Sequence, residues 1–360
     1  MENDTNNLTK KSKSKQFLEF LVTSFNGMAI GLFSTLIIGV IIEQIGLGVS
    51  YIPNLTYLSE YIILIATFLK SMMGIGIGIG MAFALKQEGL KLVIVAIAGG
   101  IASSFIYLGT DLFNGRALND PLTVYVVVVG VYLFFKYIFK TKTPIDIILI
   151  PLLGALVALI LTFLVGFPIK SITIQLGLFI SYVSTSNIGL FFVGVIVAVL
   201  MGMALTAPIS SAAIAISISL GGLAGGAAVV GCCVQMLGFA VMSRKDNSVG
   251  TIIGVGIGTS MLQFKNIIKK PIIWLPTIIV SAILGPLSTL LFKITTTPIG
   301  AGMGTSGLVG QIATFSDMGY TWTVALYVLI LHIFLPIVLV YGLDLLFRKK
   351  GLIQPGDLAI

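Results

Sequence analysis

The sequence predicts an all-α polytopic membrane protein with about nine or ten transmembrane helices plus two re-entrant hairpins. The first observation is composition: hydrophobic residues make up 57% of the 360 residues, and charged residues only 9%. A soluble domain carries about 25% charged residues, so this chain cannot coat a water-facing surface of its size. The second observation is a series of apolar runs of about 20 residues, the length that crosses a bilayer as a helix.

The apolar runs define the predicted crossings in chain order. They lie near residues 18–42, 60–85, 91–110, 122–140, 145–166, 188–206, 208–242, 272–292 and 322–346. Lysines cluster at alternate ends of these runs, as the positive-inside rule expects if the N-terminus lies in the cytoplasm. This topology needs an odd number of crossings between residues 188 and 242, and three short ones satisfy it.

Short polar tails are predicted on either side of a single membrane domain. Residues 1–16 are polar and end in a lysine cluster, which predicts a disordered basic tail. That cluster is a positive-inside signal or, alternatively, a contact for anionic lipid. The membrane domain covers residues 17–347, and residues 348–360 form a short C-terminal tail. We expect both termini to lie in the cytoplasm.

Two glycine-rich stretches do not fit as crossings. Residues 254–264 read GVGIGTSMLQF, and residues 295–315 read TTTPIGAGMGTSGLVGQIATF. Irregular backbone at membrane depth must be enclosed by protein or line a wet cavity, because lipid offers no hydrogen bonds. We therefore expect two re-entrant hairpins that enter from opposite sides and whose tips meet near the midplane. Such an arrangement is a recurrent way of building a transport site.

A run of alternating glycines, GIGIGIG, predicts close helix packing. On a helix, Gly74 and Gly78 form one pair of small residues, and Gly76 and Gly80 form another. A phosphate-binding loop would need a following lysine and a soluble strand–turn–helix context, and the sequence has neither.

Catalytic and metal-binding chemistry has few residues to draw on. Cys232 and Cys233 are adjacent in an apolar run, and adjacent residues rarely meet disulfide geometry, so we expect buried free thiols. His332 is the single histidine. We predict no catalytic residue, no metal and no cofactor in this chain, and no nucleic-acid partner.

Uncharged polar side chains are the candidate binding groups. Ionisable residues, Glu43 among them, fall at predicted ends of the runs, which weighs against coupling to protons or sodium. The predicted substrate-binding residues are Thr259, Ser260, Gln263, Thr206, Pro208, Ser210, Ser211, Thr305 and Ser306. Hydroxyl and amide groups both donate and accept hydrogen bonds, which suits a small neutral solute such as a sugar or polyol. Hydrogen bonding between helices is the alternative role for each of them, and for other deep polar residues such as Asn187.

Four segments carry a family resemblance. They are PIDIILIPLLGALVALILTFLVGFPI (144–169), VLMGMALTAPISSAAIA (199–215), GVGIGTSMLQF (254–264) and PIIWLPTIIVSAILGPLSTLLFKITTTPIGAGM (271–303). In order and spacing they resemble the fructose/mannitol-type enzyme IIC, the membrane permease of the phosphotransferase system. The chain as a whole is similar to a divergent stand-alone branch of that superfamily, which includes perfringolysin O regulator-like membrane proteins.

The resemblance implies a IIC-like permease fold in a bacterial plasma membrane. It also implies a homodimer and separate IIA and IIB phosphoryl carriers, so that the chain is at most the membrane subunit of a sugar phosphotransferase. The family's motif glutamate, implied to bind sugar hydroxyls, falls on Thr259, and its Asn-Lys pair falls on Ser210 and Ser211. The implied function is a permease for a small neutral solute that works by alternating access. A membrane sensor or regulator on the same scaffold is the alternative, and a channel-like facilitator is a third.

Overall fold

The computed structural model describes residues 13–107, 117–139, 143–186 and 188–360 of the protein. Asn187 and most of the tail predicted at 1–16 lie outside the described residues. Residues 13–16 belong to the first helix. Within the described residues the chain forms helices and no β-strand, which confirms the all-α polytopic prediction.

The helices are numbered in chain order. They are α1 (Lys13–Leu32), α2 (Ile38–Ser50), α3 (Thr56–Ser71), α4 (Met73–Ala84), α5 (Gly89–Ser104), α6 (Pro121–Leu133), α7 (Asp146–Thr185), α8 (Leu190–Thr206), α9 (Ser211–Ser217), α10 (Gly222–Met242), α11 (Val249–Ile253), α12 (Phe264–Lys269), α13 (Leu275–Pro286), α14 (Pro298–Ala301), α15 (Val309–Met318), α16 (Trp322–Val328) and α17 (Leu335–Lys349). Wider π-helical turns join α1 to α2 (Phe33–Ile37) and α16 to α17 (Leu329–Phe334). Similar turns extend α6 (Phe134–Ile138), α11 (Gly254–Gly258) and α13 (Leu287–Leu291).

Each of the nine predicted runs contains a helix. Among the described residues, six helical segments are long and apolar enough to cross a membrane, and seven if the bent pair α3 and α4 counts as one crossing. Helices α5 and α8, with 16 and 17 residues, are shorter than a full span and account for the other two runs. The bend between α3 and α4 is 53°, so the run predicted at 60–85 is a broken rather than a straight helix.

One predicted boundary is wrong. The crossing predicted at 145–166 does not end there, because α7 continues as one helix of 40 residues through Pro168. Proline lacks the N–H that a helix needs and usually marks an end or a kink. Here the Tyr107 hydroxyl accepts the Phe167 N–H at 2.8 Å and donates to the Phe163 carbonyl at 3.0 Å. The tyrosine thus supplies backbone hydrogen bonds beside the proline, and the helix goes on.

The segment predicted to hold three short crossings does reverse direction twice. Ala198 lies against Gly231, and Thr206 is hydrogen-bonded to Gln235, so residue numbers rise together along α8 and α10. The two helices therefore run in the same direction, and residues 207–221, which include α9, return between them. The three parts of this segment therefore alternate in direction, which is the arrangement that an odd number of passes between residues 188 and 242 requires.

The glycine run packs as predicted, on two faces of α4. Gly76 and Gly80 lie against α1, where an added Cβ atom would overlap backbone carbonyl oxygens. Gly74 and Gly78 lie equally close to α5. Small residues on both faces let three helices approach at backbone distance, which confirms the packing interpretation.

Three buried apolar clusters divide the molecule into two halves. The first cluster is built from residues 28–158 with Met261 added from the far side, and the other two from residues 180–358. Helix α7 contributes Ala158 to the first cluster and Ile180 to another. It is thus a member of both halves, and the space between the halves is where the hairpins meet.

Candidate functional site

The first hairpin, residues 246–270, enters and leaves at one end of α10. Helix α11 and its π-helical turn run back along α10, where Gly256 lies next to Ala240. Thr259 is extended (φ −159°, ψ 136°) and breaks the helix, a 3₁₀ turn follows, and α12 returns. This is the re-entrant form predicted for the opening glycine-rich stretch.

The C-terminal segment, residues 351–360, binds to the base of the first hairpin. The carboxylate of Asp246, at the start of the hairpin, accepts the Gly356 N–H at 3.0 Å. Lys270, at its end, forms an ion pair with Asp357 at 2.6 Å. Because one segment binds both ends of the hairpin, both ends lie on the same side of the molecule. The predicted C-terminal tail is therefore packed against the membrane domain, with Leu358 fully buried.

The second hairpin, residues 295–319, enters at the opposite end of α10. Thr296 forms a β-bridge with Gly222, the first residue of α10. The two ends of the hairpin meet where the Thr295 N–H donates to the Met318 sulfur at 3.4 Å. At the tip, Gly304 adopts a left-handed conformation (φ +54°) against Cys232, where a Cβ atom would not fit.

The two hairpin tips meet in the protein interior. Thr305 at the second tip donates its hydroxyl hydrogen to the Gly256 carbonyl of the first at 2.5 Å. Thr305 also contacts Met236, and Gly304 contacts Cys232, so the tips lie beside the interior of α10 rather than either end. This confirms the prediction of two broken hairpins that enter from opposite ends and meet at depth.

A buried polar cluster lies beside the first tip. The Gln235 side-chain oxygen accepts hydrogen bonds from Thr206 at 3.2 Å, Trp274 at 3.0 Å and Thr277 at 3.0 Å. Ser260 is hydrogen-bonded to Thr206 at 2.8 Å. Thr206 and Ser260, two of the predicted binding residues, thus bind each other and fix the hairpin against α8 and α10.

A central cavity of about 300 Å³ lies between the two halves. Such a volume is at the small end of the range for ligand pockets. The first half lines it with Leu32, Leu36, Ile37, Val40, Glu43, Gln44, Lys70, Met73, Asn119 and Pro121, and the second half with Leu205, Ile209, Ser210, Ser211, Ala212, Ile216, Thr259, Met261, Ile299, Met303, Ser306 and Val309. The lining is mostly apolar with a few polar groups, as in small-molecule sites generally.

Four predicted residues line the central cavity: Thr259, Ser210, Ser211 and Ser306. The hydroxyl oxygens of Thr259 and Ser210 accept backbone N–H groups of their own turns, which leaves their hydrogens free to donate. The Ser211 hydroxyl donates to the Gly302 carbonyl at 2.6 Å, which leaves its lone pairs free to accept. The cavity therefore offers both donors and acceptors.

The Ser306 hydroxyl is the group in the cavity that most clearly lacks a partner. Its side chain is 1% exposed, and its oxygen has no hydrogen-bond partner among the described residues. A buried hydroxyl without a partner costs about 1–3 kcal/mol, so a ligand that bonds to it recovers that free energy.

The remaining predicted residues do not reach the cavity. Gln263 donates to the Leu358 carbonyl at 2.9 Å and thereby holds the C-terminal segment. Thr305 serves the contact between the tips, and Pro208 is buried between α8 and α9. Their sequence pattern is the same as that of the lining residues, because hydroxyls and amides also fill buried contacts between helices.

Sequence reasoning missed the charged edge of the cavity. Glu43 and Lys70 form an ion pair at 2.5 Å, and both line the cavity together with Gln44. The predicted crossing ended at residue 42, whereas α1 and α2 form one helical segment that runs to Ser50. The apolar residues on both sides of Glu43 were the signal that the helix continues.

The cysteines and the acidic residues are candidates for thiol chemistry and for metal binding. Cys232 and Cys233 are buried and free, as predicted. Across the described ranges, no group of three His, Cys, Asp or Glu residues lies close enough to hold a metal ion.

The fold and cavity define a class: a polytopic helical membrane protein whose two halves, with two broken hairpins, enclose a ligand-sized cavity. The model of the family "Phosphotransferase system, EIIC" matches residues 22–360. The chain therefore belongs to the phosphotransferase system EIIC family and is a permease subunit of that system. EIIC domains generally work with separate IIA and IIB components. No significant match was found among curated proteins or among solved structures.

Proposed function

We propose that this EIIC protein translocates a small neutral solute, a sugar or a polyol, with the central cavity as its binding site. The observation that carries the proposal is that four residues with hydroxyl groups, Thr259, Ser210, Ser211 and Ser306, line one mostly apolar cavity. An alcohol group both donates and accepts hydrogen bonds, and so do these side chains. The apolar wall suits the C–H faces of a sugar or polyol.

The walls of the cavity support alternating access as the mechanism. Residues of both halves line it, and each hairpin tip contributes one of the hydroxyls, Thr259 or Ser306. A shift of one half against the other would open the cavity toward one side of the membrane at a time. Coupling of that movement to phosphorylation needs phosphoryl carriers on separate IIA and IIB chains. In the cavity itself, Thr259 stands in place of the glutamate of the related motif.

The family and the charges support the membrane setting that we propose. We place the protein in a bacterial plasma membrane as a homodimer with both termini in the cytoplasm. Lysine and arginine are concentrated beside the C-terminal segment, at Arg244, Arg348 and Lys349, which supports a cytoplasmic position for that end of α10.

A sensor or regulator on the same scaffold is the second candidate. The observation that favours it is the uncharged tip of the first hairpin, residues 254–264, where Thr259 stands in place of the glutamate of related permeases. Solute binding without uptake in proteoliposomes would identify a sensor. Solute flux without any energy source would identify a facilitator.

The test is a thermal-shift screen of the purified protein against sugars, polyols and other small metabolites, followed by titration of each stabilising solute. Ser306→Ala and Thr259→Ala each remove one cavity hydroxyl and are expected to weaken binding about three- to tenfold, the value of one hydrogen bond. Ser50→Ala removes an exposed hydroxyl of α2 and is the matched control. Binding that survives both cavity substitutions, or a screen in which no sugar or polyol stabilises the protein, refutes the proposal.

A further inference from the structure

We propose that the Glu43–Lys70 ion pair sets the charge selectivity of the central cavity and makes it a site for uncharged, polyhydroxylated solutes. This rests on the proposed function in one respect only, that the cavity is where a solute binds. The pair is the one charged element among the described residues that line the cavity. The hydroxyls described above give the cavity polarity, but the pair decides which net charge it accepts.

The pair is built into the walls of the first half. Glu43 lies in α2 and Lys70 near the end of α3, and these antiparallel helices pack closely along their length. The Lys70 side chain passes over Gly39, where an added Cβ atom would lie 2.8 Å from its Cγ. The charged groups are thus held at a fixed place beside the cavity, opposite the hairpin tips.

Both side chains retain free surface that faces the cavity. The side chains of Lys70 and Glu43 are 27% and 29% exposed, and both line the cavity. A carboxylate accepts several hydrogen bonds, and an ammonium donates three, so the 2.5 Å contact between them leaves capacity on both. Neighbouring hydroxyls of one solute can therefore donate to Glu43 and accept from Lys70 without separating the pair.

The buried Ser306 hydroxyl gives an independent sign that this space takes a ligand. It lies on the second hairpin, lines the same cavity and has no partner among the described residues. A solute held between Ser306 and the ion pair would touch both halves of the protein. Three types of polar group, a free hydroxyl, a carboxylate and an ammonium, then bind one neutral molecule.

Charge balance excludes ionic solutes. Because the two charges cancel, the cavity has no surplus charge with which to repay the desolvation of an anion or a cation, and an uncompensated buried charge costs several kcal/mol. Removal of one partner reverses this. Glu43→Gln leaves Lys70 unpaired and makes the cavity positive, whereas Lys70→Gln makes it negative.

A test of cavity charge that needs no solute uses a cysteine reporter. Met303→Cys places a thiol on the second hairpin, in the cavity wall, in otherwise full-length protein in detergent. The thiol is treated with two methanethiosulfonate reagents of similar size, one anionic (ethylsulfonate) and one cationic (ethyltrimethylammonium). The protein without the reporter corrects for Cys232 and Cys233, which are fully buried. Ile299→Cys, a more exposed position in the same wall, is the second reporter.

The quantity measured is the ratio of the anionic to the cationic labelling rate. We expect Glu43→Gln to raise this ratio about tenfold and Lys70→Gln to lower it about tenfold, since local fields change ion concentrations by factors of 10 or more. Glu60→Gln and Lys15→Gln remove exposed charges of the same sign elsewhere and should leave the ratio unchanged. A ratio that moves in neither variant with either reporter overturns the inference.

A binding assay then reads the same selectivity with solutes. Mannitol, gluconate and glucosamine are neutral, anionic and cationic probes of similar size. We expect wild-type protein to favour mannitol over both charged probes, Glu43→Gln to shift preference toward gluconate and Lys70→Gln toward glucosamine. If Ser306→Ala weakens solute binding but neither charge variant changes the preference, this inference fails and the proposed function stands. If the labelling ratio responds but no sugar or polyol binds, the proposed function fails instead.

Discussion

Leu358→Ala is expected to loosen the C-terminal segment and the hairpin it holds. Leu358 is fully buried in an apolar cluster of the second half, although it lies two residues from the end of the chain. Replacement of a buried leucine by alanine costs about 2–5 kcal/mol in transfer free energy and cavity formation. The Leu358 carbonyl, which accepts from Asn247 at 2.7 Å and Gln263 at 2.9 Å, is untouched by the change. The substitution therefore removes only apolar burial, at a cost of about 3 kcal/mol in the free energy that holds the segment.

We expect the lost free energy to favour detachment of the C-terminal segment before it favours unfolding of the whole protein. A short segment at the chain end can detach without unfolding the helices, and regions differ in their free energy of opening. When the segment detaches, Lys270 loses Asp357 and Asn266 of α12 loses the Ala359 carbonyl, so α12 can open and enter the protease site. Trypsin should then cleave after Lys265 or Lys269 faster in Leu358→Ala than in the wild type.

The assay is tryptic cleavage of purified protein in detergent at several protease concentrations, with fragments identified by mass spectrometry. Leu352→Ala is the matched control, since Leu352 lies in the same segment but is 37% exposed. A loss of 3 kcal/mol corresponds to roughly a hundredfold larger open population. Equal cleavage rates for the two variants, or new cleavage remote from the first hairpin, would show that Leu358 does not hold the C-terminal segment on the hairpin.

Three further predictions concern packing, the polar cluster and pH. Gly80→Ala places a methyl group against the α1 backbone and should lower the melting temperature strongly, whereas Gly48→Ala meets no atom within 4 Å and should not. Gln235→Ala removes the oxygen that accepts from Thr206, Trp274 and Thr277. Thr277 retains the Trp274 carbonyl at 2.9 Å, so we expect a total loss of about 1–3 kcal/mol in stability, with weaker solute binding, measured by thermal unfolding and titration. Burial acts to raise the pKa of Asp357, but the hydrogen bonds from Lys270 and the Gln354 N–H outweigh it and lower the pKa below its ordinary value of 3.8. A carboxyl with a lowered pKa stabilises the folded state at neutral pH and loses that effect as the pH falls through its folded-state pKa. Asp357→Asn should therefore be more protease-sensitive than the wild type at neutral pH, and the difference should disappear in acid. The acid measurement uses an acid-stable protease, pepsin, in place of trypsin. A sensitivity difference that persists at the lowest pH would contradict this assignment.

Local composition was enough to predict the features that depend on nearby residues. Apolar runs located the helices, and glycine spacing identified the two faces of α4, because both depend on neighbours within a few turns. The hairpins were predicted because irregular apolar sequence has few other stable forms in a membrane.

The features that sequence reasoning missed depend on distant partners. Helix α7 continues past Pro168 because Tyr107, far away in the chain, bonds to its backbone. Gln263 was predicted to bind solute, and its amide donates to the Leu358 carbonyl, a contact that its sequence position does not reveal. Glu43 looks like the end of a crossing until Lys70 neutralises it from the next helix. For Pro168 and Gln263 the deciding partner lies outside any local window of sequence.

Among the described residues, helix α7 is the covalent connection between the two halves, and it is a rigid strut rather than a flexible linker. Its 40 residues correspond to about 60 Å, twice the thickness of the hydrocarbon layer. One part is fastened to α5 and α6, and the other to α8 and α9. Relative displacement of the halves must therefore tilt or flex this strut, with the proline in its middle as the natural point of bending. The bending of this one helix, and not the length of a loop, therefore limits how far the two halves can move relative to each other.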